Sequence, residues 1–480
     1  MARADWEAII GLEVHAQLLT ESKIFCGCST AFGAPPNTQT CPVCLGLPGT
    51  LPVLNEKAVE YGVRVGLALN AKIRETSVFA RKNYFYPDLP KGYQISQDDL
   101  PICYDGHLVI ETAEGERKVG IIRAHLEEDA GKNVHDPAGG PSRVDLNRAG
   151  VPLMEIVSAP DIRSADEAVE YLKNLRSILV YLGVNDGNLE EGSMRCDANV
   201  SVRKKGETGY RTRVEIKNLN SFRFLKQAIE YEVDRQIRTW EEGGQVEPET
   251  RQFDAQAGVT RAMRAKSEAE DYRYFPEPDL PPLRVDEAFV AKVRESLPEL
   301  PREKAARFQR DYQLSAYDAS VLVADKEVAD YYEGAVEAYG GSAKTVANWV
   351  INEVLRLIKE SPEGIRATRA EPAKLAALLR LLDEGKINAP SAKTILEQVH
   401  QTGADPEEVM RQKGLEQVSD VALIEAAVEK VVAAHPKELE TYRGGKKALF
   451  GFFMGQVMKE LRGQGDPKVV QAALRKALDG

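Results

Sequence analysis

The sequence predicts an α+β protein, in which a mixed α/β domain rich in antiparallel sheet precedes two all-α units. From residue 1 to about residue 300, apolar and polar residues alternate in short runs separated by turn residues. From there to residue 480, apolar residues recur at spacings of three and four. Alternation is typical of half-buried strands, and the longer spacing is typical of amphipathic helices. The predicted domains are residues 1–295, 296–410 and 411–480.

The composition is that of a folded globular protein. Hydrophobic residues make up 43% of the 480 residues and charged residues 29%, which argues against disorder along most of the chain. The net charge of −11 disfavours a surface that coats nucleic acid broadly. The sequence has neither a basic segment followed by an apolar run at its start nor a stretch of about 18 apolar residues. We therefore expect a cytoplasmic protein that does not bind membranes.

The first predicted element is a strand over residues 6–18, where apolar and polar residues alternate. Glu13, His15 and Gln17 project together from its polar face, because side chains two positions apart share a face of a strand. A carboxylate two residues from an imidazole can share one metal ion with it. A solvent-facing strand edge would give the same pattern, so the strand alone leaves both interpretations open.

Four of the six cysteines lie within residues 26–44 and form two close pairs, Cys26 with Cys28 and Cys41 with Cys44. In a reducing compartment such pairs are more often metal ligands than disulfides, and four thiolates fit one tetrahedral Zn(II). We therefore predict a structural zinc site inserted in the first domain. Its four protein ligands would leave no position for a substrate. An empty reduced cluster and a redox role are the alternatives.

Later strand-like segments each place a carboxylate beside a cation or inside an apolar run. One of them ends in three consecutive acids, Glu127, Glu128 and Asp129, and alternation does not decide which of them points inward. Glu155 lies in an apolar run, where a carboxylate is costly unless it is paired or ligated. Two further segments combine an acid with a base: Arg195 with Asp197, and Glu215 with Lys217.

These carboxylates, with only one or two imidazoles among them, suit Mg(II) better than zinc. Because Mg(II) most often bridges phosphate oxygens, the pattern indicates phosphoryl transfer. The sequence lacks the usual phosphate loop GxxxxGK[ST], and the nearest stretch, GGSAKT at residues 340–345, has Ala343 where glycine is needed. The candidate phosphate and carboxylate partners therefore come from the basic and aromatic stretch at residues 81–97. They are Arg81, Lys82, Tyr84 and Tyr86. The alternative interpretation of this stretch is a packed loop of Tyr and Pro residues.

No residue has the sequence surroundings of an activated nucleophile. Cys103 and Cys196 lie outside any signature that activates a thiol. The stretch GSAK at residues 341–344 lacks the remainder of an amidase Ser-Lys pattern. Acyl or ammonia chemistry that starts from a covalent enzyme intermediate would therefore need another subunit.

Proline and aromatic residues at 271–283 and 296–304 mark the exit from the first domain. Beyond them, residues 348–358 and 372–385 predict helices of a bundle, and a second helical unit begins near residue 413. Residues 436–480 carry a net charge of +4, opposite in sign to the whole chain. A solvated helix face over a Phe-rich core is one interpretation, and phosphate binding is the other. The basic residues concerned are Arg443, Lys446, Lys447, Lys459 and Arg462.

Nine motifs resemble, in the same order, those of the GatB/GatE family, which contains the B subunits of glutamyl-tRNA(Gln) and aspartyl-tRNA(Asn) amidotransferases. The resemblance covers nearly all of the chain, and motifs this long and numerous are highly specific. They are GLEVHAQL, SKIFCGCS, RKNYFYPDLPKGYQISQ, HLEEDAGK, VDLNRAGVPLMEIVSAPD, EEGSMRCDANVSVR, EIKNLNSF, DYRYFPEPDLPPL and GGKKALFGFFMGQVMK.

The resemblance implies a ligase that uses ATP to phosphorylate the side-chain carboxylate of Glu or Asp mischarged onto tRNA. Ammonia then displaces the phosphate to give Gln-tRNA(Gln) or Asn-tRNA(Asn). The implied partners are an amidase-fold A subunit, which acts as glutaminase and supplies ammonia through a tunnel, and a small C subunit. The other implied partners are mischarged Glu-tRNA(Gln) or Asp-tRNA(Asn) and the mischarging aminoacyl-tRNA synthetase. The first domain would be the family's catalytic cradle, and the tail its YqeY-like, tRNA-binding unit.

The resemblance also carries expectations about individual residues, and it selects Glu128 from the acidic run. Members of the family differ in whether they keep the four cysteines, so the zinc prediction rests on spacing alone. The expected Mg(II) ligands are Glu13, His15, Glu128 and Glu155. The expected catalytic residues are Lys82, Asp197 and Glu215. The expected ATP-contacting residues are Lys82, Tyr84, Arg195 and Lys217.

Two other classes of function compete with this interpretation. A non-catalytic, zinc-containing tRNA-binding scaffold would have merely structural acidic strands, and a free-standing Mg-dependent phosphohydrolase would not need the helical half or the basic tail. The carboxylates discriminate between the classes, because a scaffold does not need the four expected Mg(II) ligands aimed at one point.

Overall fold

The computed structural model describes residues 2–134, 140–263, 272–417, 420–461 and 463–479. The chain divides into two compact units, Met1–Pro301 and Arg302–Gly480. The first combines a large mixed sheet with helices, whereas the second holds helices and no strand within the ranges just given. The predicted α+β class is therefore confirmed. The finer division at residues 295/296 and 410/411 stays a prediction.

The strands all belong to the first unit. They are β1 (Trp6–Gln17), β2 (Lys72–Ile73), β3 (Thr76–Ser77), β4 (Ala80–Asn83), β5 (Tyr93–Ser96), β6 (Cys103–Thr112), β7 (Gly115–Glu128), β8 (Lys132–Val134), β9 (Arg143–Asp145), β10 (Pro152–Ser158), β11 (Met194–Lys204), β12 (Val214–Lys217), β13 (Thr250–Asp254), β14 (Val259–Ala262), β15 (Phe275–Pro276) and β16 (Leu283–Arg284).

Nine of these strands form one sheet in the order β14-β13-β12-β11-β1-β10-β7-β6-β2. Neighbouring strands are antiparallel except β12 and β13, which are parallel. The strand β1 lies near the centre, where it pairs with β10 and β11. Smaller sheets join β15, β4 and β5, then β16 with β3, and β8 with β9.

Helices cover one face of the large sheet. Each of the first three begins at a residue whose side chain accepts a backbone N–H, namely Asn55, Ser164 and Ser221, as N-caps do. Helix α3 (Phe222–Glu241) packs on β11, α2 (Ala165–Tyr181) on β6 and α1 (Glu56–Ala68) on β7. The helices of this unit are α1 (Glu56–Ala68), α2 (Ala165–Tyr181), α3 (Phe222–Glu241) and α4 (Glu287–Glu295).

The two faces of the sheet differ because of the alternation seen in the sequence. Leu12, Val14 and Ala16 of β1 lie in the core beneath the helices, and the intervening Glu13 and His15 project from the other face. The strand pairing aligns the polar residues of neighbouring strands, since His15 is opposite both Glu155 and Arg195. The face that the helices leave uncovered therefore carries the charged groups.

The second unit is built from helices throughout its described residues. A π-helical turn, Val350–Val354, joins α8 (Ala343–Trp349) to α9 (Leu355–Ile358), so residues 343–358 are continuously helical. The helices are α5 (Pro301–Tyr312), α6 (Ala316–Val323), α7 (Lys326–Tyr339), α8 (Ala343–Trp349), α9 (Leu355–Ile358), α10 (Pro372–Asp383), α11 (Ala389–Thr402), α12 (Pro406–Lys413), α13 (Val421–Ala434), α14 (Pro436–Arg443), α15 (Phe450–Glu460) and α16 (Pro467–Asp479). In the part of the chain that the structure describes, no helix is long and apolar enough to cross a membrane.

The last helices share a hydrophobic cluster to which α13, α15 and α16 contribute, with Phe453 fully buried. Two of the five basic residues singled out above make contacts within this tail. Arg443 donates to the carbonyls of Leu478 and Ala477, and Lys447 pairs with Asp479 at 2.7 Å. Lys446 and Lys459 are exposed, and Arg462 lies outside the described residues. Arg443 and Lys447 thus make contacts within the protein, and phosphate binding by the tail stays a prediction.

Candidate active site

Two histidines and three glutamates converge on the sheet face opposite the helices. The ring Nε2 of His15 lies 3.3 Å from Glu155 Oε2 and 3.6 Å from Glu13 Oε1. A carboxylate oxygen of Glu127 is 3.8 Å from the same nitrogen. His125 approaches the group from β7, with its Nε2 3.7 Å from Glu127 Oε2 and 3.8 Å from Glu155 Oε2. We call these five residues the acidic cluster.

The protonation of the acidic cluster reflects its excess of negative charge. Burial lowers the pKa of His15, but its hydrogen bond to Glu155 and the neighbouring carboxylates raise that pKa to about 9. Burial would raise the pKa of Glu155, yet the charges of His125 and His15 lower it well below its usual range. Burial and the repulsion of Glu155 raise the pKa of Glu13. Three carboxylates sharing two imidazoles thus favour a bound positive charge.

The donor set also fits a divalent cation. Candidate ligand atoms of Glu13, His15 and Glu155 lie within 4.8 Å of one another, and so do those of His125, Glu127 and Glu155. Glu155 belongs to both groups, and the two oxygens of Glu127 face different histidines. A hard cation accepts such oxygen-rich sets with few imidazoles. The acidic cluster can therefore hold the ion that the sequence pattern predicts.

In the acidic run, the structure places Glu127 in the acidic cluster, and the expectation that Glu128 is a metal ligand stays a prediction. Glu128 forms an ion pair with Lys91 and accepts the backbone N–H of Ile95 at 2.9 Å. Adjacent residues of a strand point to opposite faces, so β7 can aim only one of the two at the cluster. His125 is two positions before Glu127 and shares its face of the strand. The alternation of the sequence therefore already indicated that these two side chains lie together.

Arg195 is held beside the cluster by a buried carboxylate that we did not select from the sequence. Its Nη2 donates to Asp129 Oδ1 at 2.9 Å, and Gln17 donates to the other oxygen at 2.8 Å. Burial would raise the pKa of Asp129, but the charges of Arg195 and Arg148 lower it overall. The guanidinium thus has a fixed position directly across from His15 in the sheet.

On the neighbouring strands β11 and β12, a lysine is held between two acids. Lys217 Nζ lies 2.9 Å from Asp197 and 2.8 Å from Glu215. Glu215 also accepts a hydrogen bond from Thr250 at 2.8 Å. Burial lowers the pKa of Lys217, but Asp197 and Glu215 raise it well above its usual range. The predicted sharing of one face by Glu215 and Lys217 is therefore present, and the pair of carboxylates binds a primary ammonium group.

The small sheet of β4 and β5 contributes Lys82 and an aromatic wall. Lys82 Nζ lies 4.7 Å from the ring centre of Tyr272, and its charge lowers the pKa of Glu155. Tyr84 packs edge-on against Tyr272, and burial raises the pKa of its hydroxyl. Lys82 therefore lies near the acidic cluster. Tyr86, by contrast, is exposed.

Arg81, another predicted phosphate partner, is used differently. Its Nε and Nη2 donate to the carboxylate of Glu277 at 2.7 and 2.8 Å, and Glu277 is buried. The guanidinium also stacks 4.1 Å from the ring centre of Tyr93. Such a two-pronged ion pair ties β4 to the segment after residue 272. The Nε and Nη2 donors of Arg81 thus already have carboxylate partners, and a phosphate contact at Arg81 stays a prediction.

The four clustered cysteines have free thiols whose sulfur atoms lie within 4.8 Å of one another. The Sγ atoms of Cys41 and Cys44 are 3.9 Å apart. Ligands about 2.3 Å from a tetrahedral zinc ion are separated by about 3.8 Å, so the donor set fits Zn(II). A hydrogen bond with Cys26 lowers the pKa of the Cys44 thiol to about 4. We call residues 26–46 the cysteine module.

A buried lysine accompanies this module. Lys23 is fully buried, and its ammonium lies 3.5 Å from Cys44 Sγ and 3.3 Å from the carbonyl of Leu146. Among the described residues, no carboxylate lies within 4.0 Å of it. A buried cation needs a negative partner, and four thiolates around one Zn(II) would carry a net negative charge. Lys23 is therefore suited to offset that charge.

We expect the substitution Lys23→Met to release zinc from the purified chain about tenfold faster, since partners of metal ligands typically alter affinity by this order. A chelator that changes colour on binding zinc measures the release, and elemental analysis measures the zinc content. Lys72→Met is the control, because Lys72 is an exposed lysine paired with Asp105. Equal release rates for Lys23→Met and the unsubstituted chain would contradict the proposed role.

Comparison with known proteins covers both units. Residues 8–291 match the model of the GatB/GatE catalytic domain, and residues 330–478 match the model of the GatB domain. A protein from Anaeromyxobacter sp. (strain K) is 62% identical over 482 residues, which is 100% of both chains. One from Myxococcus xanthus (strain DK1622) is 59% identical over 100% of both chains, and one from Geobacter sulfurreducens is 56% identical over 99% of this chain and 100% of its own. Each of the three is named as the B subunit of an aspartyl/glutamyl-tRNA(Asn/Gln) amidotransferase.

Proposed function

The chain belongs to the GatB/GatE family, and from this membership we propose that it is the ATP-dependent activating subunit of a glutamine-dependent tRNA amidotransferase. It converts the side-chain carboxylate of Glu or Asp, mischarged onto tRNA(Gln) or tRNA(Asn), into the amide. The observation that carries the proposal is the convergence of the acidic cluster and Lys82 on the sheet face opposite the helices, beside two carboxylates that already bind an ammonium group.

In the first step, a side-chain carboxylate oxygen of the aminoacyl-tRNA attacks the γ-phosphorus of ATP. A P–O bond forms, the bond to ADP breaks, and the product is an acyl phosphate. Glu13, His15 and Glu155, together with Glu127 and His125, would hold Mg(II), which offsets the charge of the γ-phosphate. Lys82, and Arg195 fixed by Asp129, stabilise the negative charge that develops on the transferred group. Tyr84 and its aromatic neighbours are suited to contact the nucleotide.

In the second step, ammonia attacks the acyl carbon, a C–N bond forms, and phosphate leaves. Ammonia that arrives as ammonium must lose a proton before it can attack. Asp197 and Glu215 are suited to collect that cation and accept its proton, since they hold the ammonium of Lys217 in the same way. A carboxylate alone is a poor electrophile, so phosphorylation must precede amidation.

The ammonia must come from another subunit. Burial raises the pKa of Cys103 to about 12 and that of Cys196 well above its usual value, so neither thiol is ionised for attack on glutamine. The relatives are named as B subunits, which also implies a multi-subunit enzyme. We propose an amidase-fold A subunit as the glutaminase, a small C subunit, and the mischarging synthetase as a further partner, all in the cytoplasm. The exposed Lys446 and Lys459 are proposed tRNA contacts of the tail.

The experiment that tests this function combines the purified chain with A and C partners, ATP, glutamine and each mischarged tRNA. Amide product is scored after the amino acid has been released from the tRNA. We expect Gln-tRNA(Gln), Asn-tRNA(Asn) or both, and which of them forms identifies the substrate. ATP cleavage without amide would favour a phosphohydrolase, and tRNA binding with neither reaction would favour a scaffold. Either outcome would overturn the proposal.

A further inference from the structure

The cysteine module makes a close contact with the segment that precedes β5. Gly46, two residues after Cys44, has φ +67°, and a Cβ atom built there would lie 2.5 Å from Cγ and 3.2 Å from Cα of Lys91. A side chain at position 46 therefore could not be accommodated without moving Lys91. The backbone of the module thus lies directly against this lysine, and a cavity of about 210 Å³ adjoins the contact, lined among others by Cys26, Cys44 and Lys91.

Lys91 in turn fixes the end of β7. Its ammonium forms an ion pair with the buried Glu128 carboxylate, which also accepts the N–H of Ile95 at 2.9 Å. The side chain of Gln94 donates to the backbone carbonyl of Glu128 at 2.7 Å. A buried carboxylate is strongly destabilised when its cationic partner moves away. The position of β5 against β7 therefore depends on the Lys91–Glu128 pair.

Fixing β5 positions one member of the acidic cluster. The hydroxyl of Ser96, the last residue of β5, donates to Glu127 Oε2 at 3.1 Å, and both side chains are buried. Glu127 is the residue whose two oxygens face His15 and His125. A displacement of β5 would therefore change the orientation of this carboxylate.

We propose that the cysteine module positions the Glu127 carboxylate through the contacts Gly46–Lys91, Lys91–Glu128 and Ser96–Glu127. These are positioning residues, and none of them needs to touch the substrate. The inference rests on the proposed function only in taking the acidic cluster as the site of a divalent cation. It gives Glu128 a role in holding the site instead of ligating the ion, and it gives the cysteine module a reason to lie in this domain.

The test measures the affinity of the full chain for Mn(II), by the disappearance of the free-ion signal in electron paramagnetic resonance. We expect Gly46→Ala to weaken Mn(II) binding about tenfold, as the loss of support behind a metal ligand typically does. The matched control is Gly49→Ala, since Gly49 has φ +85° but no atom within 4 Å of a Cβ atom built there. Both substitutions place alanine at a positive φ, whereas only one displaces Lys91. Zinc content and thermal unfolding are recorded for every variant.

A second pair of variants keeps the inference testable if Gly46→Ala does not fold. We expect Lys91→Met to weaken Mn(II) binding about as much, and Lys91→Arg to restore most of the affinity because it keeps the charge. Unchanged affinity in Gly46→Ala or Lys91→Met, or equal loss in Gly49→Ala, would overturn the inference. Mn(II) binding needs no tRNA or partner subunit. Failure of amide formation by the unsubstituted chain would therefore count against the proposed function alone.

Discussion

Replacement of Glu155 by glutamine is expected to abolish amide formation, with a loss of about a thousandfold or more in rate. Glu155 lies between His15 and His125 and is also 3.6 Å from Arg123, so it is the carboxylate shared by both candidate ligand groups. The amide keeps the shape of the side chain but removes its charge. Mn(II) binding should be lost together with phosphorylation of the substrate carboxylate, which is followed as tRNA-dependent release of ADP.

The control for Glu155→Gln is Glu7→Gln, an acid of β1 that pairs with Arg203 at 2.7 Å, away from the acidic cluster. We expect this control to keep amide formation within a few-fold of the unsubstituted chain. Circular dichroism and urea unfolding should show that both variants are folded. If Glu155→Gln retained a tenth or more of the rate, or bound Mn(II) normally, the acidic cluster would not be the phosphoryl-transfer site.

The second large effect is expected for Asp197→Asn. Asp197 and Glu215 hold the ammonium of Lys217 at 2.9 and 2.8 Å, and removing one of the two charges weakens a site for a cationic amine. Amide formation should fall by about a hundredfold or more with glutamine and with added ammonium alike, the usual scale of general base catalysis. Release of ADP should persist, because activation of the carboxylate does not use this group.

Raising the pH should restore part of the ammonium-dependent rate of Asp197→Asn, because more of the donor is then free ammonia and less proton transfer is needed. Glu207→Gln is the control, since Glu207 pairs with Arg211 at the surface of the first unit. Full glutamine-dependent and ammonium-dependent rates in Asp197→Asn would show that this carboxylate does not take the proton.

Alternation along β1 was sufficient to predict that Glu13 and His15 share a face, because that geometry is local to one strand. The grouping of the four cysteines was equally predictable, since their spacing alone indicates a four-thiolate set. The polar face as a whole needed more than one strand. Its assembly depends on the strand pairing that places Glu155 opposite both His15 and His125. The register between strands that are distant in sequence cannot be predicted from either strand alone.

The partners of single charged residues depend on the fold in the same way. Which of Glu127 and Glu128 faces the acidic cluster depends on where β7 ends against β10 and on what Lys91 pairs with. Arg81 was a candidate partner for phosphate or carboxylate, and the carboxylate that it contacts in the fold, Glu277, lies 196 residues further along the chain. A charged side chain near a predicted site has several possible partners, and only the folded chain decides among them.

The most direct test of the proposed chemistry follows the oxygen atoms. Glu-tRNA(Gln) or Asp-tRNA(Asn) labelled with oxygen-18 in its side-chain carboxylate is converted by the assembled enzyme with ATP and glutamine, and the released phosphate is analysed by mass spectrometry. Formation of an acyl phosphate requires one carboxylate oxygen to leave with the phosphate, so one labelled oxygen should appear in phosphate for each amide formed. Amide formation with unlabelled phosphate would show that ATP does not activate the carboxylate by phosphorylation.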